Sequence, residues 1–155
     1  GGHAQGNALT GHLLREEVEL KDVRQFLESG KFTLEALAEV SPRLKEALEK
    51  DASFAVKQQV SGYPPSAIHR YRIQSGQPLK VDFQPNAALL AAHPDFRVDW
   101  STMEGVPSRF YRIESQDGRN FQLSSNAESQ PEKLLARYFD GERLLGSQPY
   151  YLSGK

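Results

Sequence analysis

"HRYRIQSGQPLKVDF" spans His69–Phe83, and at an offset of 40 the chain returns to the same pattern in "RFYRIESQDGRNFQL", Arg109–Leu123. In the first stretch His69, Tyr71 and Ile73 alternate with Arg70 and Arg72. After the turn residues Ser75–Pro78, Leu79, Val81 and Phe83 alternate with Lys80 and Asp82. Apolar side chains at every second position mark half-buried strands, and two such runs joined by a short Gly/Pro turn predict a hairpin. The second stretch reads the same way, with an Asp117-Gly118 turn between Tyr111, Ile113 and Phe121, Leu123. Tyr71, Arg72 and Ile73 thus align with Tyr111, Arg112 and Ile113, and Asn86-Ala87 with Asn126-Ala127. Phe96, Val98 and Trp100 alternate with Arg97 and Asp99 as a further strand. Each copy reads as a hairpin, an Asn-led helix and a strand. The second helix is expected from Pro131 through Leu134, Leu135 and Tyr138. Two ββαβ units sharing one mainly antiparallel sheet follow, and two repeats are too few for a solenoid.

Before this region the period is helical. Leu9, Leu13, Leu20, Val23 and Leu27 recur at helical spacing, with Leu14 and Phe26 widening the stripe. Thr33 predicts the cap of a second helix and Ser41-Pro42 the start of a third. Asp51 predicts a fourth turn around Phe54 and Val60. The expected fold is α+β: a single domain, 1–155, with a helical subregion (1–62) packed on a β-rich one (63–155).

Composition bounds the chemistry. The 155 residues carry 19 basic and 20 acidic side chains, divided 8 and 10 over residues 1–62 and 11 and 10 beyond. That near-balance argues against a nucleic-acid partner, whose phosphates call for basic excess. With no Cys, disulfides, thiolate metal ligands and Cys nucleophiles are excluded. No apolar run approaches the ~20 residues that span a bilayer, so no transmembrane segment is expected. The opening Gly1-Gly2 reads as a processing boundary, and the Ala-, Leu-, Gln- and Arg-heavy, Cys-free composition allows an excised part of a larger exported bacterial protein while fitting cytosol or periplasm equally, so the compartment is left open. No cofactor or metal motif is present, and none is expected.

Candidate site residues fall into two groups. Arg70, Arg72, Arg109 and Arg112, with Tyr63, Tyr111, Tyr150 and Tyr151, lie on or beside the strands. Arg and Tyr are enriched at recognition surfaces. Arg70, Arg72, Tyr111, Arg112, Tyr150 and Tyr151 are therefore the expected binding residues of a non-catalytic protein-interaction domain, working through a sheet face or an edge strand. The alternative is a small phosphodiesterase of the ribonuclease or toxin kind, with His12 or His69 as acid/base and Arg72 as anion stabiliser. A DNA-binding regulator, with Pro42–Lys50 as recognition helix, is disfavoured by the absence of Asn and Gln there and by Glu46 and Glu49. His93 before Pro94 reads as a helix-end residue, and Asp95, Arg97 and Asp99 as a polar strand face.

"GGHAQGNALTGHLLREEVELKDVR" (1–24) resembles the opening of bacterial ribonuclease-A-like toxin domains, with His3, His12 and Arg24 as the stand-ins. The spacing between the histidines is longer than that pattern, and the basic character and C-terminal Thr-x-Tyr of the family are missing. The family's activity is not carried over.

Overall fold

The computed structural model describes residues 20–63 and 69–154. The chain divides into two compact units, Gly1–Glu49 and Lys50–Lys155. The first holds helices α1 (Leu20–Glu28), α2 (Leu34–Val40) and α3 (Pro42–Glu49). Thr33 Oγ1 accepts the Ala36 N–H and Ser41 Oγ the Leu44 N–H, so both expected caps satisfy an orphan donor of the first helical turn. Leu27, Leu37, Leu44 and Leu48 are buried, whereas Phe26 is exposed and rests against Phe32. Leu9, Leu13 and Leu14 lie outside the described residues.

In the second unit Asp51 caps the single turn α4 (Ala52–Ala55) through the Ser53 N–H. Among the described residues eight strands follow, with one short helix: β1 (Val56–Val60), β2 (His69–Ile73), β3 (Leu79–Pro85), α5 (Ala87–Ala92), β4 (Phe96–Thr102), β5 (Tyr111–Ser115), β6 (Asn120–Ser125), β7 (Glu132–Asp140) and β8 (Arg143–Gly154). They form two four-stranded sheets: A, ordered β1-β3-β6-β5, and B, ordered β2-β8-β7-β4. Every pairing is antiparallel except β2 with β8. With these helices and mainly antiparallel sheets the class is α+β.

The inward rows of the sheets meet in one aromatic core. Phe83 of sheet A lies 5.9 Å from Trp100, 6.0 Å from Tyr138 and 6.3 Å from Tyr150, all of sheet B. Trp100 in turn meets Phe121 of sheet A at 6.0 Å. These are tilted, edge-to-face contacts, the arrangement a ring quadrupole favours. The result is a face-to-face sandwich, with Ile73, Val81, Leu123, Leu134 and Leu152 closing the core around the rings.

Three expectations need correction. First, the two echoed stretches are not alike. Tyr111–Leu123 is the hairpin β5–β6, but β2 pairs with β8 while β3 pairs with β1 and β6. Residues 74–78 therefore carry the chain from one sheet to the other, and the two ββαβ units in one sheet do not form. Alternation fixes which side chains point inward; it is satisfied equally by neighbours in one sheet and by facing strands of two. Second, Pro131–Asp140 is not a helix. Leu134, Ala136 and Tyr138 point inward from strand β7, and cross-sheet packing overrides the helical propensity of Glu, Lys, Leu, Ala and Arg. Asn126 forms a tight turn instead, its Oδ1 accepting the Glu128 N–H and its Nδ2 donating to the Arg109 carbonyl. Third, the helical subregion stops at Ala55, because Val56–Val60 is the edge strand of sheet A.

Candidate functional site

Among the described residues strand β2 is an edge of sheet B, and its alternation sorts the candidate residues onto two sides. His69, Tyr71 and Ile73 point toward the sandwich interior; Arg70 and Arg72 point outward and are exposed. The register places Arg70 beside Tyr151, and Tyr151 beside Lys133 of β7. The three side chains form a cross-strand row on the outer face. The Arg70 guanidinium lies over the Tyr151 ring at 4.5 Å from its centroid, and the Lys133 ammonium stands 5.6 Å from the same centroid. An aromatic face attracts a cation, and the contact holds a long flexible side chain in place. Arg72 lies one strand repeat further along, beside Ser153. These residues line a shallow groove of ≈ 470 Å³ with Pro131.

Among the described residues no carboxylate pairs with Arg70, Arg72 or Lys133. Glu132 is next in sequence but has the inward phase of β7, and its carboxylate accepts from the Ser108 hydroxyl. Its charge adds to burial in pushing the Tyr111 phenol up to about 12. Two cations, Arg70 and Lys133, thus flank one tyrosine, Arg72 lies further along the same face, and among the described residues none of the three is ion-paired.

The inner side of the same strand borders an open cleft of ≈ 620 Å³, lined by Tyr63, His69 and Tyr71 with Gln59, Lys80 and Asn120. The His69 ring stacks on Tyr150 at 4.5 Å and 16°. Burial lowers the His69 pKa, which favours the neutral imidazole. Its Nδ1 is enclosed without a hydrogen-bond partner, as is the Tyr150 hydroxyl. The Tyr63 ring stands edge-on to Tyr71 at 5.2 Å, and its hydroxyl donates to the Arg72 carbonyl.

The sequence-predicted binding set divides accordingly. Arg70, Arg72 and Tyr151 come together on the outer face of sheet B. Tyr150 is fully buried and Tyr111 is 4% exposed, so both are core residues; the Tyr111 hydroxyl donates to the Gln130 carbonyl. Arg112 lies on the other sheet, paired with Glu114 at 2.8 Å. Lys133 is the member that the sequence reading missed, because it was assigned to a helix. The Leu134, Ala136, Tyr138 alternation is the signal that would have placed it outward.

Of the catalytic alternative, only His69 and Arg72 fall among the described residues. His12, like His3, lies outside the described residues, and His69 and Arg72 project from opposite sides of β2. His93 caps the C-terminus of α5 and its Nδ1 lies 3.1 Å from Asp140 Oδ2. Asp99 accepts the Trp100 N–H, and Arg97 donates to the Gly141 carbonyl beneath the Phe139 ring. No group of His, Asp or Glu among the described residues is placed to hold a metal ion. No helix among them is long and apolar enough to cross a membrane. In α3, Lys45 is held by Glu49.

No protein-family model matches this chain, and no curated protein is significantly similar to it. Among solved structures, the crystal structure of the Lin-41 filamin domain is similar at a TM-score of 0.30 and 8% identity, over 63% of this chain and 91% of that one. A likeness so slight has no bearing on function, which rests here on the residues themselves.

Proposed function

We propose that this chain is a non-catalytic protein-interaction domain that recognises its partner through the β2 side of sheet B, with Arg70, Arg72 and Tyr151 as the contact residues and Lys133 beside them. One observation carries the proposal: the Arg70–Tyr151–Lys133 row is held in place by its own ring contacts and lacks a neutralising carboxylate. An ordinary solvated face mixes both signs of charge. A pre-positioned row of one sign around an aromatic fits recognition, where Arg and Tyr anchor interfaces and electrostatic complementarity selects the partner. The Cys-free, Ala-, Leu-, Gln- and Arg-rich composition supports placing the domain in a larger exported bacterial protein.

The test is affinity capture from the source cell's extract with the native chain and with Arg70→Ala/Arg72→Ala. The double variant is expected to keep the native circular dichroism and melting profile while losing the captured protein. Undiminished capture by the double variant would remove the proposal.

A further inference from the structure

The outer patch and the inner cleft are the two sides of one strand edge. Among the described residues β2 pairs with one strand, β8, and no strand pairs its other side. The Arg72 carbonyl marks which main-chain groups face outward from the sheet. It accepts from the Tyr63 hydroxyl, which lies outside sheet B, and on that contact we place it on the side away from β8. Because main-chain direction alternates along a strand, the amide groups of Arg70 share that orientation. The free edge thus offers pairing positions at Arg70 and Arg72, the two residues whose side chains carry the unneutralised charge.

From this geometry, and resting on the interaction role proposed above, we infer that β2 accepts an extended acidic peptide as a fifth strand of sheet B, with two carboxylate side chains two positions apart and an apolar or aromatic residue between them. Residues i and i+2 of an added strand point to the same face, about 6.6–6.8 Å apart. That matches the spacing of Arg70 and Arg72 along β2. The intervening residue points the other way, into the cleft beside Tyr63, His69 and Tyr71. Main-chain hydrogen bonds then supply affinity and the alternate pockets supply specificity. Charge complementarity commits the occupant to an acidic peptide: the outward side chains of β2 itself are Arg70 and Arg72, and among the described residues neither is ion-paired. Tyr63 holds the acceptor that the incoming strand needs, so it competes with the peptide and must move aside.

The experiment uses the full chain and fluorescein-labelled nonapeptides with a central Glu-Phe-Glu flanked by Thr and Val, read by fluorescence anisotropy. Five comparisons with the parent define the mode. The parent peptide is expected to bind, and Arg70→Glu/Arg72→Glu to weaken it at least about tenfold. Because charge reversal could disturb the edge, Arg70→Gln/Arg72→Gln is run beside it and is expected to weaken binding in the same direction. Proline in place of the central Phe, or a scrambled order that makes the two acids adjacent, is expected to abolish binding. Tyr63→Phe, which keeps the ring and frees the Arg72 carbonyl, is expected to tighten binding about threefold. Absence of parent binding, or equal binding of the proline and scrambled peptides, overturns strand addition. If capture depends on Arg70 and Arg72 while the proline peptide binds as well as its parent, strand addition falls and the recognition face stands. If neither responds to the arginine changes, both fall.

Discussion

Tyr-Arg-Ile occurs twice, as Tyr71–Ile73 in β2 and Tyr111–Ile113 in β5, and each copy lies on an edge strand of its sheet. Both tyrosines are buried and both arginines exposed. There the likeness ends. Arg112 has Glu114 two residues on, on the same face and paired with it. Arg72 has Arg70 two residues back, on the same face and unpaired. The same three letters yield a neutralised edge in sheet A and a charged one in sheet B. The difference lies in the residue two positions away, the neighbour that strand alternation puts on the same side.

The comparison can be broken most forcefully at the tyrosines. Tyr71→Ala and Tyr111→Ala are each expected to destabilise the sandwich by about 3–5 kcal/mol, the cost of emptying a buried aromatic site; urea unfolding measures both. A cost under about 1 kcal/mol at either position would show that its ring does not fill the core. The arginines come next. Charge reversal of Arg70 and Arg72 together should lower partner affinity at least about tenfold, while Arg112→Glu should leave it within about twofold. Equal losses would mean that general positive charge, rather than the β2 face, governs binding.

Hydroxyl deletion sharpens the contrast on a smaller scale. Tyr111→Phe removes the bond to the Gln130 carbonyl and should cost about 1 kcal/mol. Tyr71→Phe removes no comparable bond and should cost under about 0.5 kcal/mol by the same measurement. The smallest effect is a pH dependence confined to the β2 side. The folded His69 pKa is below the ordinary 6.5, so between those values the unfolded chain binds more protons. Stability is then full above pH 6.5 and declines as pH falls through that window. His69→Gln should flatten this portion of a stability-versus-pH curve, and β5, which has no histidine, contributes nothing to it.

These contrasts also show how far the sequence carries. The inward phase of β2, β3, β4, β5 and β6 was legible, because burial enforces alternation residue by residue. The caps at Thr33, Ser41 and Asp51 were legible because each rests on a local side-chain oxygen. Strand partnership was not. β2 meets β8 and β3 meets β1 and β6 through contacts distant in sequence, and nothing near His69–Phe83 distinguishes a hairpin from a crossing between sheets. β7 was hidden by residues with strong helical propensity. Of the expected binding residues, Arg70, Arg72 and Tyr151 fall on one outer sheet face, where strand alternation puts them, with both arginines exposed and Tyr151 half-buried. Tyr111 and Tyr150 were misplaced because tyrosine, with an apolar ring and a polar tip, suits core and surface alike. Lys133 was missed together with its strand.

The parallel joining of β2 to β8 carries a temporal consequence. On the ribosome β2 is made first of the sheet B strands, and it waits, without a neighbour, through the synthesis of all the others. Arg70 can meet Tyr151 only when β8 emerges. A nascent chain in which β8 has not yet been made therefore lacks the finished Arg70–Tyr151–Lys133 row.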